Sequence, residues 1–248
     1  MTPIPRTFCL AVGAMCLCLF ISFAEAAIVL QGTRVIFAAN VGEVMLRLKN
    51  TSDSPVLVQS WLDDGQADQP PEDVRVPFVV QPAVTRVDAA SGAALRIKRI
   101  DPQLPEDRES LFWLNVMEMP ARRSSENTVL QFAFRTRIKV FYRPVPLIAG
   151  AADAANRLTW RLTPAGEGGK FRTLEVANPT PYYLSFGNVE VLSGGHPLPV
   201  ATGMVAPYAK TRLAVRAANE MHAIDATVRF EVINDYGGRR LLEKPLTQ

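Results

Sequence analysis

Two cations interrupt stretches that otherwise read as apolar strands. Arg34 stands in Ile28 to Ala38 among Leu30, Val35, Ile36 and Phe37, and Lys139 sits between Ile138 and Val140. A charge in such a setting either snorkels to solvent or finds an anion, because an unpaired buried charge costs several kcal/mol. Both outcomes fit the pattern. If the two cations converge, the chemistry open to them is capture of an incoming carboxylate through charge-assisted hydrogen bonds.

Covalent chemistry has little to work with. The chain has 2 histidines, His196 and His222, in no metal-ligand spacing and each expected in a surface loop. No Gly-x-Ser-x-Gly elbow, phosphate-binding glycine loop or Cys-His pair is present. Asp63, Asp64, Glu72 and Asp73 gather in one loop region and are read as solvated charges, with no second feature supporting catalysis. No catalytic residue, metal site or cofactor is expected.

The elements that must position the cations are strands. VLQFAFRTRIKVFYRP, from Val129 to Pro144, alternates Leu130, Phe132, Phe134, Ile138 and Val140 on one face with Gln131, Arg135, Arg137 and Lys139 on the other. Periodicity alone leaves open whether the apolar face is ordinary core or a surface kept for a partner. Similar short alternating runs are expected at Ile28 to Ala38, Glu43 to Asn50, Val56 to Leu62, Phe78 to Val87, Ala94 to Ile100, Ser110 to Glu118 and Thr128 to Tyr142. Turn formers separate them, and about seven strands in such a length is the count of an immunoglobulin-like sandwich. Pro144 to Asn156, rich in proline and alanine, reads as a linker. A second β rhythm follows it, closing with a hairpin turn at Asp235-Tyr236-Gly237-Gly238.

Residues 1–26 have the three parts of a secretory signal: Arg6, an apolar run from Phe8 to Phe23, and Ala24-Glu25-Ala26 as the cleavage pattern. Cleavage after Ala26 removes Cys9, Cys16 and Cys18, the chain's 3 cysteines, so the exported protein has no disulfide and must be stable through packing. A net charge of +3, dispersed along strands, is too mild for nucleic acid.

Several ordered motifs then point one way. Asp107-Arg108-Glu109-Ser110-Leu111-Phe112-Trp113-Leu114-Asn115, Met119-Pro120 and Arg137-Ile138-Lys139-Val140-Phe141-Tyr142-Arg143-Pro144 resemble signature segments of the periplasmic pilus-assembly chaperones of the chaperone-usher pathway. Gly32-Thr33-Arg34-Val35-Ile36-Phe37, Asn178-Pro179-Thr180-Pro181-Tyr182-Tyr183 and Asn234-Asp235-Tyr236-Gly237-Gly238 extend the resemblance over essentially the whole mature chain.

The resemblance implies an all-β protein of two immunoglobulin-like β-sandwich domains in a boomerang arrangement, residues 27–144 and 145–248, exported to the periplasm. It implies a chaperone that binds, folds and caps pilus (fimbrial) subunits by donor-strand complementation and delivers them to an outer-membrane usher, with no small-molecule substrate. Leu130, Phe132 and Phe134 would be the donor residues, Arg34 and Lys139 the anchor for the subunit's terminal carboxylate, and Glu109, Arg143 and Asp235 the interdomain charge network. The short connection from Pro120 to Asn127 resembles the short-loop branch. A secreted all-β adhesin or pilus subunit is the alternative; it would usually show a disulfide and would not need paired interior cations.

Overall fold

The computed structural model describes residues 27–101, 103–120, 132–164, 172–194, 196–215 and 226–247. The first half contributes β1 (Ile28–Leu30), β2 (Arg34–Ala38), β3 (Glu43–Asn50), β4 (Val56–Asp63), β5 (Phe78–Gln81), β6 (Val84–Val87), β7 (Gly92–Arg99), β8 (Ser110–Pro120) and β9 (Phe134–Arg143). They form two packed sheets, ordered β1-β3-β7-β5 and β2-β9-β8-β4-β6. Alternation along each strand sends one face inward. Phe37, Leu95, Ile97, Leu114 and Val140 are fully buried between the sheets, and Phe78 meets Phe37 and Phe112 edge-on at 5.1 and 5.0 Å.

Two runs expected as single strands are broken, for a shared reason. Ile28 to Ala38 divides at Gly32, whose φ of 133° suits glycine, so β1 joins one sheet and β2 the other. Phe78 to Val87 divides at Pro82, which has no N–H for a ladder, and β5 and β6 likewise fall in different sheets. A strand that changes sheets closes the corner of a sandwich while keeping its sequence alternation, so the pattern alone hides the break.

The second half has its own core. β10 (Thr159–Pro164), β11 (Arg172–Ala177) and β15 (Lys210–Ala214) form one sheet, and β12 (Leu184–Ser193), β13 (His196–Pro199), β14 (Met204–Val205), β16 (Thr227–Ile233) and β17 (Arg239–Pro245) the other. Trp160, fully buried, packs against Phe186 at 5.3 Å and Phe230 at 4.8 Å. The stretch read as a linker is folded. It forms 3-10 turns at Val145–Leu147 and Ala151–Arg157, and Ala154 and Ala155 are buried in the second core. His196, expected in a loop, is an exposed residue of β13; His222 lies outside the described residues.

Candidate functional site

β2 and β9 run parallel, with Arg34 opposite Lys139 as the first pair and Ala38 opposite Arg143 as the last. This register brings the two cations side by side. Lys139 donates from Nζ to Ser185 Oγ at 3.0 Å, and Arg34 donates from Nη1 to the Ile233 carbonyl at 3.0 Å, so both reach across to the second domain. The Arg34 guanidinium lies 5.9 Å from the Phe141 ring centre, and its buried Nε has no hydrogen-bond partner. Neither cation has an ion-pair partner among the described residues. Burial lowers the pKa of Lys139 below the ordinary lysine value, and the neighbouring Arg34 lowers it further. Burial likewise lowers Arg34, against a partial opposing pull from Asp235. Two half-buried positive charges thus stand side by side, neither in an ion pair among the described residues, and a carboxylate placed between them would offset the cost of their burial.

β9 changes character along its length. Its back half is core: Ile138, Val140 and Tyr142 are buried. Its front half carries the same alternation outward, with Phe134 39% and Phe132, just before the strand, 59% exposed, their rings 6.4 Å apart. Leu130 lies outside the described residues, as do the first four positions of the strand expected from Thr128. The hydrogen-bonding edges differ too. β8 pairs with β9 from Glu118 opposite Phe134 to Ser110 opposite Tyr142, whereas β2 begins only at Arg34 opposite Lys139. Among the described residues, the other edge of β9 from Phe134 to Ile138 therefore has no strand beside it, and this open edge ends at the two cations.

The third set of expected site residues forms a buried junction. Arg143 donates Nε to Glu109 Oε1 at 2.7 Å, and Nη1 and Nη2 to Asp235 Oδ2 and Oδ1 at 2.7 and 2.9 Å. Glu109 also accepts from the Tyr183 backbone N–H at 2.8 Å, while its own N–H donates to the Pro181 carbonyl at 2.9 Å. Burial pushes the Glu109 pKa up, opposed by Arg143 and the Tyr183 N–H; burial works against the charge on Arg143, yet Asp235 and Glu109 hold its pKa above the ordinary arginine value. Gly237, with φ of 84°, turns the hairpin that presents Asp235 to Arg143.

Sequence reasoning missed a neighbouring cluster and misplaced one of its members. Asp63, expected as a solvated loop charge, is the last residue of β4 and fully buried; Asp64, Glu72 and Asp73 are exposed. The Asp63 carboxylate accepts from Arg137 at both oxygens, from Asn115 Nδ2 at 2.7 Å and from the Gly65 N–H at 2.7 Å. Trp61-Leu-Asp63 and Trp113-Leu-Asn115 hold the available signal: an aromatic and a polar group two apart share one strand face. Among the described residues, no group of three His, Cys, Asp or Glu side chains is placed to hold a metal ion.

A family model described as "Pili and flagellar-assembly chaperone, PapD N-terminal domain" matches residues 27–147, and one described as "Pili assembly chaperone PapD, C-terminal domain" matches residues 153–244. The chain belongs to the PapD-like pilus-assembly chaperones. Its similarity to individual PapD-like proteins spans both domains. It is 41% identical over 224 residues to the probable fimbrial chaperone YadV of Escherichia coli (strain K12), covering 88% of this chain and 89% of that protein. The crystal structure of the CupB2 chaperone of Pseudomonas aeruginosa is 46% identical with a TM-score of 0.75, covering 88% of this chain and 100% of that one. The Salmonella enterica SafA pilin in complex with the SafB chaperone matches at 27% identity and a TM-score of 0.74, covering 91% of this chain and 99% of that one. A chaperone role in pilus assembly and a fold of two immunoglobulin-like domains follow for this PapD-like chain, whose family is not an enzyme class. The 121–127 connection, on which the resemblance to the short-loop branch of the PapD-like chaperones rested, lies outside the described residues.

Proposed function

We propose that the protein caps pilus subunits by lending them the front of β9 as a strand. The observation that carries this reading is the open edge from Phe134 to Ile138, ending at Arg34 and Lys139, with exposed Phe132 and Phe134 beside it. A subunit strand pairing there gains main-chain hydrogen bonds that tolerate sequence variation, and Leu130, Phe132 and Phe134 enter alternate pockets of the subunit's groove. Burying each phenylalanine contributes about 1.5 to 3 kcal/mol before ordering costs. The subunit's terminal carboxylate sits between Arg34 and Lys139 and sets the register, so charge chooses the alignment and apolar area supplies affinity.

In this reading Glu109, Arg143 and Asp235 fix the relation of the two domains around the carboxylate site, with the division between domains near residues 144 and 145. The protein works in the periplasm after loss of residues 1–26, without ATP, cofactor or covalent chemistry, and hands its subunit to an outer-membrane usher. SafA pilin held by SafB supports the class of partner. The test is to mix purified protein with unfolded candidate pilus subunits. A one-to-one soluble complex is expected; aggregation of every candidate despite the protein contradicts the reading.

A further inference from the structure

The residues of β9 that alternate with the phenylalanines are fastened to the neighbouring strands. Arg137, on the same face as Lys139, donates to both oxygens of buried Asp63, and its guanidinium lies 4.4 Å from the Trp113 ring centre. Arg135 donates Nε and Nη2 to Asn115 Oδ1 at 2.8 and 2.6 Å and Nη1 to the Ala67 carbonyl at 2.7 Å, with its guanidinium 4.9 Å from the Trp61 ring centre. Asn115 joins the halves, since its Nδ2 donates to Asp63 while its Oδ1 receives Arg135. Every one of these contacts lies on the stretch of β9 that lacks β2 on its other edge. A strand paired on one side only frays readily, and a frayed donor must be ordered at the moment of binding, which lowers affinity.

We infer that Asp63 is a positioning residue for subunit capture: through Arg137 and Asn115 it holds the front of β9 extended and flat on Trp61 and Trp113 before a subunit arrives. Asp63 itself is buried and faces no subunit; it acts through the donor strand. The inference rests on the donor-strand reading above and assigns to the polar face of β9 what that reading leaves without a role.

The test compares wild type with Asp63→Asn and Arg137→Gln, measuring backbone amide exchange in the free protein and the rate at which each suppresses aggregation of an unfolded pilus subunit. Expected are amides in 134–138 exchanging about tenfold faster or more, those in 139–143 unchanged where β2 supports them, and capture slowed by a similar factor. Arg137→Lys, keeping the charge without the two-pronged contact, should fall between. Unchanged exchange in 134–138, or acceleration spread evenly over β4, β8 and β9, overturns the assignment, the latter making Asp63 a support of the whole sheet. Should Asp63→Asn fail to fold, Arg137→Gln, whose side chain is at the surface end of the pair, gives the same readouts. A Phe134→Asp control separates the two ideas: intact capture there defeats the donor-strand reading, while the exchange result for Asp63 stands or falls independently.

Discussion

At the scale of single residues, the protein holds positive charge in half-buried positions that carry no ion pair among the described residues. Lys139 has its pKa lowered by burial and then by Arg34, so the free protein carries a standing cost for keeping it protonated at neutral pH. The sign follows from linkage: with the folded pKa below the unfolded one, this group's contribution to stability is present above the unfolded value and lost as pH falls through the folded value. In the proposed capture, an arriving carboxylate removes that cost. The Lys139 ammonium, followed by NMR, should therefore titrate at higher pH in the subunit complex than in the free protein. Lys139→Ala and Arg34→Glu should each abolish recovery of a complex while leaving a folded protein, checked by circular dichroism and pull-down. Asp63 obeys the same sign for a different reason. Burial opposes its ionisation, but Arg137, Asn115 and Gly65 outweigh this and hold its pKa below the usual carboxylate range. Its contribution should be complete above about pH 4 and lost as pH falls toward the depressed value, so the stability gap between wild type and Asp63→Asn should shrink in acid. Charges inside apolar runs flagged Arg34 and Lys139 in the sequence. Asp63 escaped because it ends a strand beside truly exposed acids, and the arginine that buries it is distant in the chain.

At the scale of elements, β9 is one strand with two environments. Alternation was legible from residue 129 onward, yet it could not say where the apolar face stops being core, because that depends on where β2 begins. Gly32 decides this by sending the chain into the second sheet so that β2 starts opposite Lys139. Exposure then predicts how substitutions divide. Phe134→Ser should leave the melting temperature nearly unchanged and weaken subunit capture by the equivalent of about 1.5 to 3 kcal/mol, read as a lower yield of complex. Val140→Ser, in the buried half of the same face, should instead destabilise the first domain itself, seen as a drop in melting temperature.

At the scale of the whole molecule, two separate cores are joined by polar contacts and by the Phe141–Tyr183 ring pair, and the buried part of the polar junction should dominate its charge energetics. Arg143 and Glu109 are 5% and 3% exposed, while the Asp235 side chain is 39% exposed. Arg143→Ala, which strands a buried carboxylate, should cost about 3 to 5 kcal/mol, and Asp235→Ala markedly less because water replaces part of its role. Thermal unfolding ranks the two, and small-angle scattering should show a broader spread of interdomain arrangements for Arg143→Ala. The sequence motifs carried these three residues only through resemblance; their convergence depends on the Asn234 to Gly238 hairpin meeting the end of β9, a tertiary fact that no local pattern encodes. Subunit capture as proposed depends on one edge of one strand. Backbone amide exchange of the protein, free and in complex with a pilus subunit, tests it most directly. Selective protection of the 134–138 amides on binding is the predicted result; protection confined to other strands, with 134–138 exchanging as in the free protein, would contradict it.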